Sequence, residues 1–252
     1  MATFAPTSLT LRALLKTAAG RVKLGARAPR VSGLTPAAKA LYSAAAAARD
    51  RVLVVVETDA EVERMTSDVR FFLTGLEGLS DTDAERAVLP FPSHEVDPYR
   101  GLAPHMDIAS ARARVLHALD AGTARVVIAS AGALLPRVSA PQHIQSTSVV
   151  LTPGHDISPT DLGDLLAAAG YTRRDPVDES GEFFVRGGVV DFYPANARGP
   201  VRLEFVGDTI ESIRTYDPAT QRSIAGIDQA AIIPLQDLLD DGDGTDRAAT
   251  PF

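Results

Sequence analysis

The 252-residue chain contains no cysteine. That excludes a disulfide framework, thiolate chemistry and any cysteine-ligated metal site. It fits a reducing compartment, and a cytoplasmic protein is expected. No apolar run approaches the length needed to span a membrane as a helix. The opening MATFAPTSLTLRALLKTAAG has neither a basic lead nor a cleavage site, so it does not read as a secretory signal. Positive charge is also short. The 25 Lys and Arg stand against 32 Asp and Glu, a formal net charge of −7. A module that grips a nucleic-acid backbone carries a basic face. Here the arginines are scattered and the C-terminal LLDDGDGTDRAATPF is acidic, which argues against direct nucleic-acid binding. There is no internal repeat.

What is present is 45% apolar and 23% charged, the balance of a soluble globular chain with one large or two small domains. Residues 1–145 alternate helix and strand signals. A helix over 8–19 ends at Gly20, and a basic loop, RVKLGARAPRVSG, follows. Thr35-Pro36 opens a second helix, with Thr35 as cap and proline in the first turn. The alanine run in LYSAAAAARD continues it. VLVVV reads as a strand covered on both faces. Asp59 caps the next helix, whose Val62, Met65, Val69, Phe72 and Leu76 recur at helical spacing. AVLPF is a short strand. A proline-rich ordered loop, PSHEVDPYRGLAPH, leads to a helix from Asp107 with the stripe Ile108, Ala111, Val115 and Leu119. RVVIAS is another buried strand, and a short helix stops near Pro136. This order predicts a parallel sheet flanked by helices, an α/β domain.

The pattern changes near residue 146. TSVVLTPG is a strand and turn, and Ser158-Pro159-Thr160-Asp161 is a capping box for a helix reaching Gly170. EFFVR, VVDFYP, VRLEFV and TIESIRTYD are shorter strands. Gly187-Gly188 and Gly207-Asp208 between them are two-residue hairpin signals. Residues 146–235 therefore predict a smaller antiparallel α+β domain, and 236–252 an acidic, disordered tail. Period-two alternation puts Val201, Leu203 and Phe205 on one face and Arg202 and Glu204 on the other. Arg186 shares a face with Phe184. TIESIR breaks the alternation at Ile213, which means either a bulge or a covered edge.

Four sets of residues are candidates for chemistry. GLTPAAKA, from Gly33 to Ala40, has the outline of a phosphate-binding loop around Lys39. Its second glycine is replaced by Ala38 and its Mg²⁺-binding hydroxyl by Ala40, while Pro36 removes one amide. Weak or no nucleotide binding is expected. His94, Glu95, Asp97, His105 and Asp107 are polar and close in sequence, but their spacing matches no zinc or two-metal motif. No G-x-S-x-G elbow accompanies Ser130 or Ser158. The sheet carrying Arg186 and Arg202, with Arg173 and Arg174 upstream, has the mixture of arginine and aromatic residues found where proteins bind proteins. A solvated polar face has the same composition, and both readings stand.

SGEFFVRGGVVDFYPAN and VRLEFVGDTIESIRTYDPATQRSI resemble the second domain shared by the UvrB-like proteins of excision repair. FPSHEVDPYRGLAPHMDIASARARVLHAL and ASAGALLPRV are more similar to the transcription-repair coupling factors within that group. The likeness runs from about residue 31 to residue 235. It implies that residues 1–145 are a degenerate, RecA-like UvrB domain without a working ATP site. It implies that 146–235 dock on UvrA, the damage-recognition ATPase, with the family's two central arginines falling on Arg186 and Arg202. Glu204 falls where relatives keep an acidic residue. Val206 falls where an aromatic contact is expected, with Phe205 as its neighbour and partial substitute. The intact relatives are ATP- and Mg²⁺-dependent DNA translocases that displace stalled RNA polymerase through regions this chain lacks. No cofactor is expected in this chain, nor membrane contact, and it reads as an N-terminal fragment. A UvrB-like nucleotide-binding repair protein with an altered phosphate loop is the alternative.

Overall fold

A computed structural model describes residues 10–21, 31–96, 104–138 and 141–235. Asp97 and the acidic 236–252 segment lie outside them. The chain divides into two compact units, Met1–Phe91 with Ala121–Leu134, and Pro92–Asp120 with Leu135–Phe252.

The first unit holds α1 (Leu11–Gly20), α2 (Pro36–Ala46), β1 (Val52–Val56), α3 (Asp59–Glu77), α4 (Asp81–Ala87), β2 (Val88–Phe91) and β3 (Val126–Ser130). The three strands form a parallel sheet in the order β1-β3-β2. Central β3 is buried along its whole length. Edge strand β1 is not covered on both faces, as its apolar run suggested. Val52, Val54 and Val56 pack on the helical core, while Leu53 and Val55 are 56% and 53% exposed. An edge strand has one neighbour, and only one of its faces meets α2 and α3. Thr35 caps α2 as expected, its Oγ1 accepting from the Ala38 amide at 3.3 Å. The cap of α3 is Thr58, one residue before Asp59, which instead sits in the first turn. Buried Val62, Met65, Val69, Leu73 and Leu76 fix the inner face of α3. Gly78, with φ 76°, ends it in the left-handed conformation. Gly20 remains inside α1, and Arg21 forms its cap.

The second unit begins with α5 (Met106–Asp120). Its buried face coincides with the Ile108–Leu119 stripe only at Val115, which is 1% exposed; Leu119 is 37% exposed. Small Ala109 and Ala113 join the core cluster instead, together with Val115 and Ala118 as buried residues. Arg112 lies among them fully buried, its Nη1 donating to the Pro92 carbonyl at 2.7 Å. α6 (Pro141–Thr147), β4 (Val149–Leu151) and α7 (Pro159–Ala168) follow. Ser158 caps α7, accepting from the Asp161 amide and donating to its carboxylate.

The larger sheet contains β5 (Thr172–Arg173), β6 (Glu182–Arg186), β7 (Val189–Phe192), β8 (Val201–Val206), β9 (Thr209–Tyr216) and β10 (Ser223–Gly226), in the order β10-β9-β8-β7-β6-β5. It is antiparallel except for the short β5, which runs parallel to β6. β11 (Ala230–Ile232) pairs with β4 as a separate ribbon. Gly187, at φ 57°, supplies the left-handed turn residue joining β6 to β7. One face of the sheet packs Phe183, Val190, Phe192, Val201, Leu203 and Ile213 against Leu162 and Leu166 of α7. The broken alternation in β9 is a bulge. Glu204 pairs with Ser212 but Phe205 pairs with Ile210, leaving Glu211 extra. The additional residue lets Ile210 and Ile213 both point into the core.

Candidate protein-interaction site

The other face of the large sheet is polar, and strand register assembles it. Phe184 lies opposite Asp191, Asp191 opposite Arg202, and Arg202 opposite Arg214. In the next row Arg186 faces Val189, Val189 faces Glu204, and Glu204 faces Ser212. The two rows place Arg202 and Glu204 on one side, as period two predicts, and the strand register brings Arg186 to the same side.

These three side chains line a single cavity of about 300 Å³. Asp175, Pro176, Val177, Phe184, Val189, Asp191 and Gln221 complete its wall. Arg202 is the better held of the arginines. Its Nε and Nη2 donate to the two oxygens of Asp191, each at 2.7 Å, and Nη2 reaches Gln221 Oε1 at 3.3 Å. Its guanidinium lies 4.7 Å from the centre of the Tyr216 ring. The Asp191 carboxylate holds its pKa above the ordinary value, against the opposing effect of burial. Arg186 is the freer one, 73% exposed at the side chain. It donates to Asp175 Oδ2 at 2.7 Å and lies 5.3 Å from the Phe184 ring centre. Arg173 stacks on the same ring at 5.5 Å. Glu204 accepts from Ser212 Oγ at 2.6 Å and sits 3.7 Å from Arg214 Nε.

The remaining candidate residues fall elsewhere. Phe205 is partly buried and packs against the core. Val206 is 65% exposed at the end of β8, next to the hairpin turn, and outside the cavity wall. Gly33 and Lys39 are exposed at the start of α2, while Ala40 is buried in the first unit's core. His105 and Asp107 face solvent together, and His94 is buried. Among the described residues no group of three or more His, Asp or Glu is placed to hold a metal ion. No described helix is long and apolar enough to cross a membrane.

Sequence reasoning missed Asp175, Asp191, Tyr216 and Gln221. Asp191 carried a signal, since it interrupts an apolar strand on the same face as Phe184 and Arg202. Asp175 and Gln221 lie in connecting segments, where no periodicity points at a partner.

The region holding this cavity has known relatives. Residues 149–238 match the family model of the UvrB interaction domain. They are a UvrB interaction domain. Most of the chain is homologous to transcription-repair-coupling factors. It is 34% identical over 238 residues to that of Mycobacterium tuberculosis, which covers 90% of this chain and 18% of the relative. The Myxococcus xanthus protein is 33% identical over 189 residues, covering 74% of this chain and 15% of the relative. The Bacillus subtilis protein is 27% identical over 217 residues, covering 85% and 18%. The chain thus spans less than a fifth of the length of the relatives it matches. Every residue of the cavity wall lies within its UvrB interaction domain.

Proposed function

We propose that the chain is a non-catalytic recruitment module that docks on UvrA through the polar sheet face. The observation that carries this is the convergence of Arg186 and Arg202 on one cavity inside the UvrB interaction domain. Arginine offers planar, two-pronged pairing to a carboxylate, and arginines beside aromatic rings concentrate binding energy. Glu204, on the rim, offers an acceptor for a basic group of UvrA. In the intact coupling factors such docking would bring UvrA to stalled RNA polymerase. Contacts to polymerase and DNA, and ATP-driven translocation, would belong to regions beyond this chain. A cytoplasmic setting follows from that role.

The test is a pull-down of UvrA with the double variant Arg186→Ala, Arg202→Ala. Each arginine is worth about 2 kcal/mol or more, so capture should disappear while circular dichroism stays unchanged. Binding at wild-type affinity would show that the site is misassigned.

In this proposal residues 1–145 are a degenerate RecA-like domain, 146–235 the UvrA-docking domain and 236–252 an acidic tail. The Ala38 amide, which a phosphate would need, is already donated to Thr35. Ala40 is packed in the core with no hydroxyl for Mg²⁺. Titration with a fluorescent ATP analogue should show no saturable binding. Saturable, Mg²⁺-dependent binding lost in Lys39→Ala would favour a nucleotide-binding repair protein instead.

A further inference from the structure

We propose that Tyr216 is the positioning residue of the docking face, holding Arg202 through its ring and Arg186 through its hydroxyl. The inference rests on the UvrA-docking reading.

Tyr216 ends β9 and is 1% exposed. Its position in the strand puts it on the side of Arg202 and Arg214, not on the side of Ile213. Two contacts leave it in different directions. The ring carries the Arg202 guanidinium at 4.7 Å. The hydroxyl donates to the Val177 carbonyl at 3.1 Å. Val177 is 2% exposed and lies two residues after Asp175, whose carboxylate receives Arg186. The 175–179 segment thus hangs from the sheet at the Tyr216 hydroxyl. Its other end is fixed by Glu182, whose Oε2 accepts from the Asp178 and Glu179 amides at 3.2 and 3.0 Å. With the segment pinned, Asp175 stands where it draws Arg186 across the Phe184 ring. With the segment released, Asp175 loses its fixed place and Arg186 loses its orientation. Burial and the Asp191 carboxylate push the Tyr216 hydroxyl pKa up, which keeps it protonated and a donor at neutral pH.

The two routes predict different couplings. Tyr216→Phe keeps the ring and removes only the hydroxyl. In the full chain, titrated with purified UvrA, it should weaken binding about five-fold, the worth of one hydrogen bond. The same loss should persist in an Arg202→Ala background and fall below about two-fold in an Arg186→Ala background. Amide hydrogen exchange at 177–179 should accelerate in Tyr216→Phe. Glu182→Gln, which loosens the other end, should show the same dependence on Arg186 and serves should Tyr216→Phe fold poorly. Equal losses in both arginine backgrounds, or unchanged exchange at 177–179, would overturn the proposal. Wild-type affinity of Arg186→Ala itself counts against the docking reading, and the exchange rates then decide for or against Tyr216 alone.

Discussion

Arg125 shows how one side chain ties three elements of the first unit. It precedes β3, and its guanidinium donates to both oxygens of Glu77 at 2.7 Å and to the Ala47 carbonyl at 2.8 Å. Glu77 ends α3, and Ala47 caps the C-terminus of α2. The hydrogen bond from Arg125 holds the Glu77 carboxyl below its ordinary value of 4.5, with burial opposing. A lowered folded pKa means that the pair contributes fully above that ordinary value and is lost as pH falls through the folded one. Arg125→Met should therefore cost about 2 kcal/mol at neutral pH. The gap to wild type should narrow as the medium is acidified below the ordinary Glu77 value. Urea unfolding across that range checks it, and a gap independent of pH would contradict it.

Among the elements, β9 depends on its bulge and β6 on the glycine before it. Gly181 has φ 89°, and an added Cβ would come within 2.9 Å of Leu235 Cδ1 and 3.0 Å of Met106 Cε. Gly181→Ala meets both a disfavoured backbone and crowding, so it should cost roughly 1–3 kcal/mol in thermal or chemical unfolding. A neutral effect would mean that the packing around β6 yields freely. Element by element, the sequence was legible where one period ruled. The hairpins at Gly187-Gly188 and Gly207-Asp208, the Thr35 and Ser158 caps and the face shared by Arg202 and Glu204 all follow from alternation and turn chemistry. It was illegible where tertiary neighbours decided. VLVVV cannot announce that it will be an edge strand. Only Val115 of the expected α5 stripe is buried, because alanines and a buried arginine, rather than Ile108 and Leu119, share the inward face with it. Tyr216 carries no local mark of its two contacts, which come from β8 and from a distant loop. Asp175 is likewise supplied to Arg186 by chain eleven residues away.

For the molecule as a whole, the net charge of −7 hides a local balance. On the polar sheet face Arg174 stands beside Glu182, Arg186 beside Asp175, Arg202 beside Asp191 and Arg214 beside Glu204, with Arg173 over the Phe184 ring in addition. Such a face exerts little long-range pull on a charged partner. The association rate with UvrA should therefore change less than about three-fold when salt is raised from low to physiological ionic strength. Stopped-flow mixing at the two salt levels measures it, and a drop of ten-fold or more would reveal steering by unbalanced charge. The clamp on Arg202 has a second consequence, for the docking proposed above. A guanidinium braced by Asp191 and lying on an aromatic ring has few rotamers left to surrender when a partner arrives. Much of the ordering that recognition demands was completed when the sheet folded, so this face meets its visitor already cast in shape.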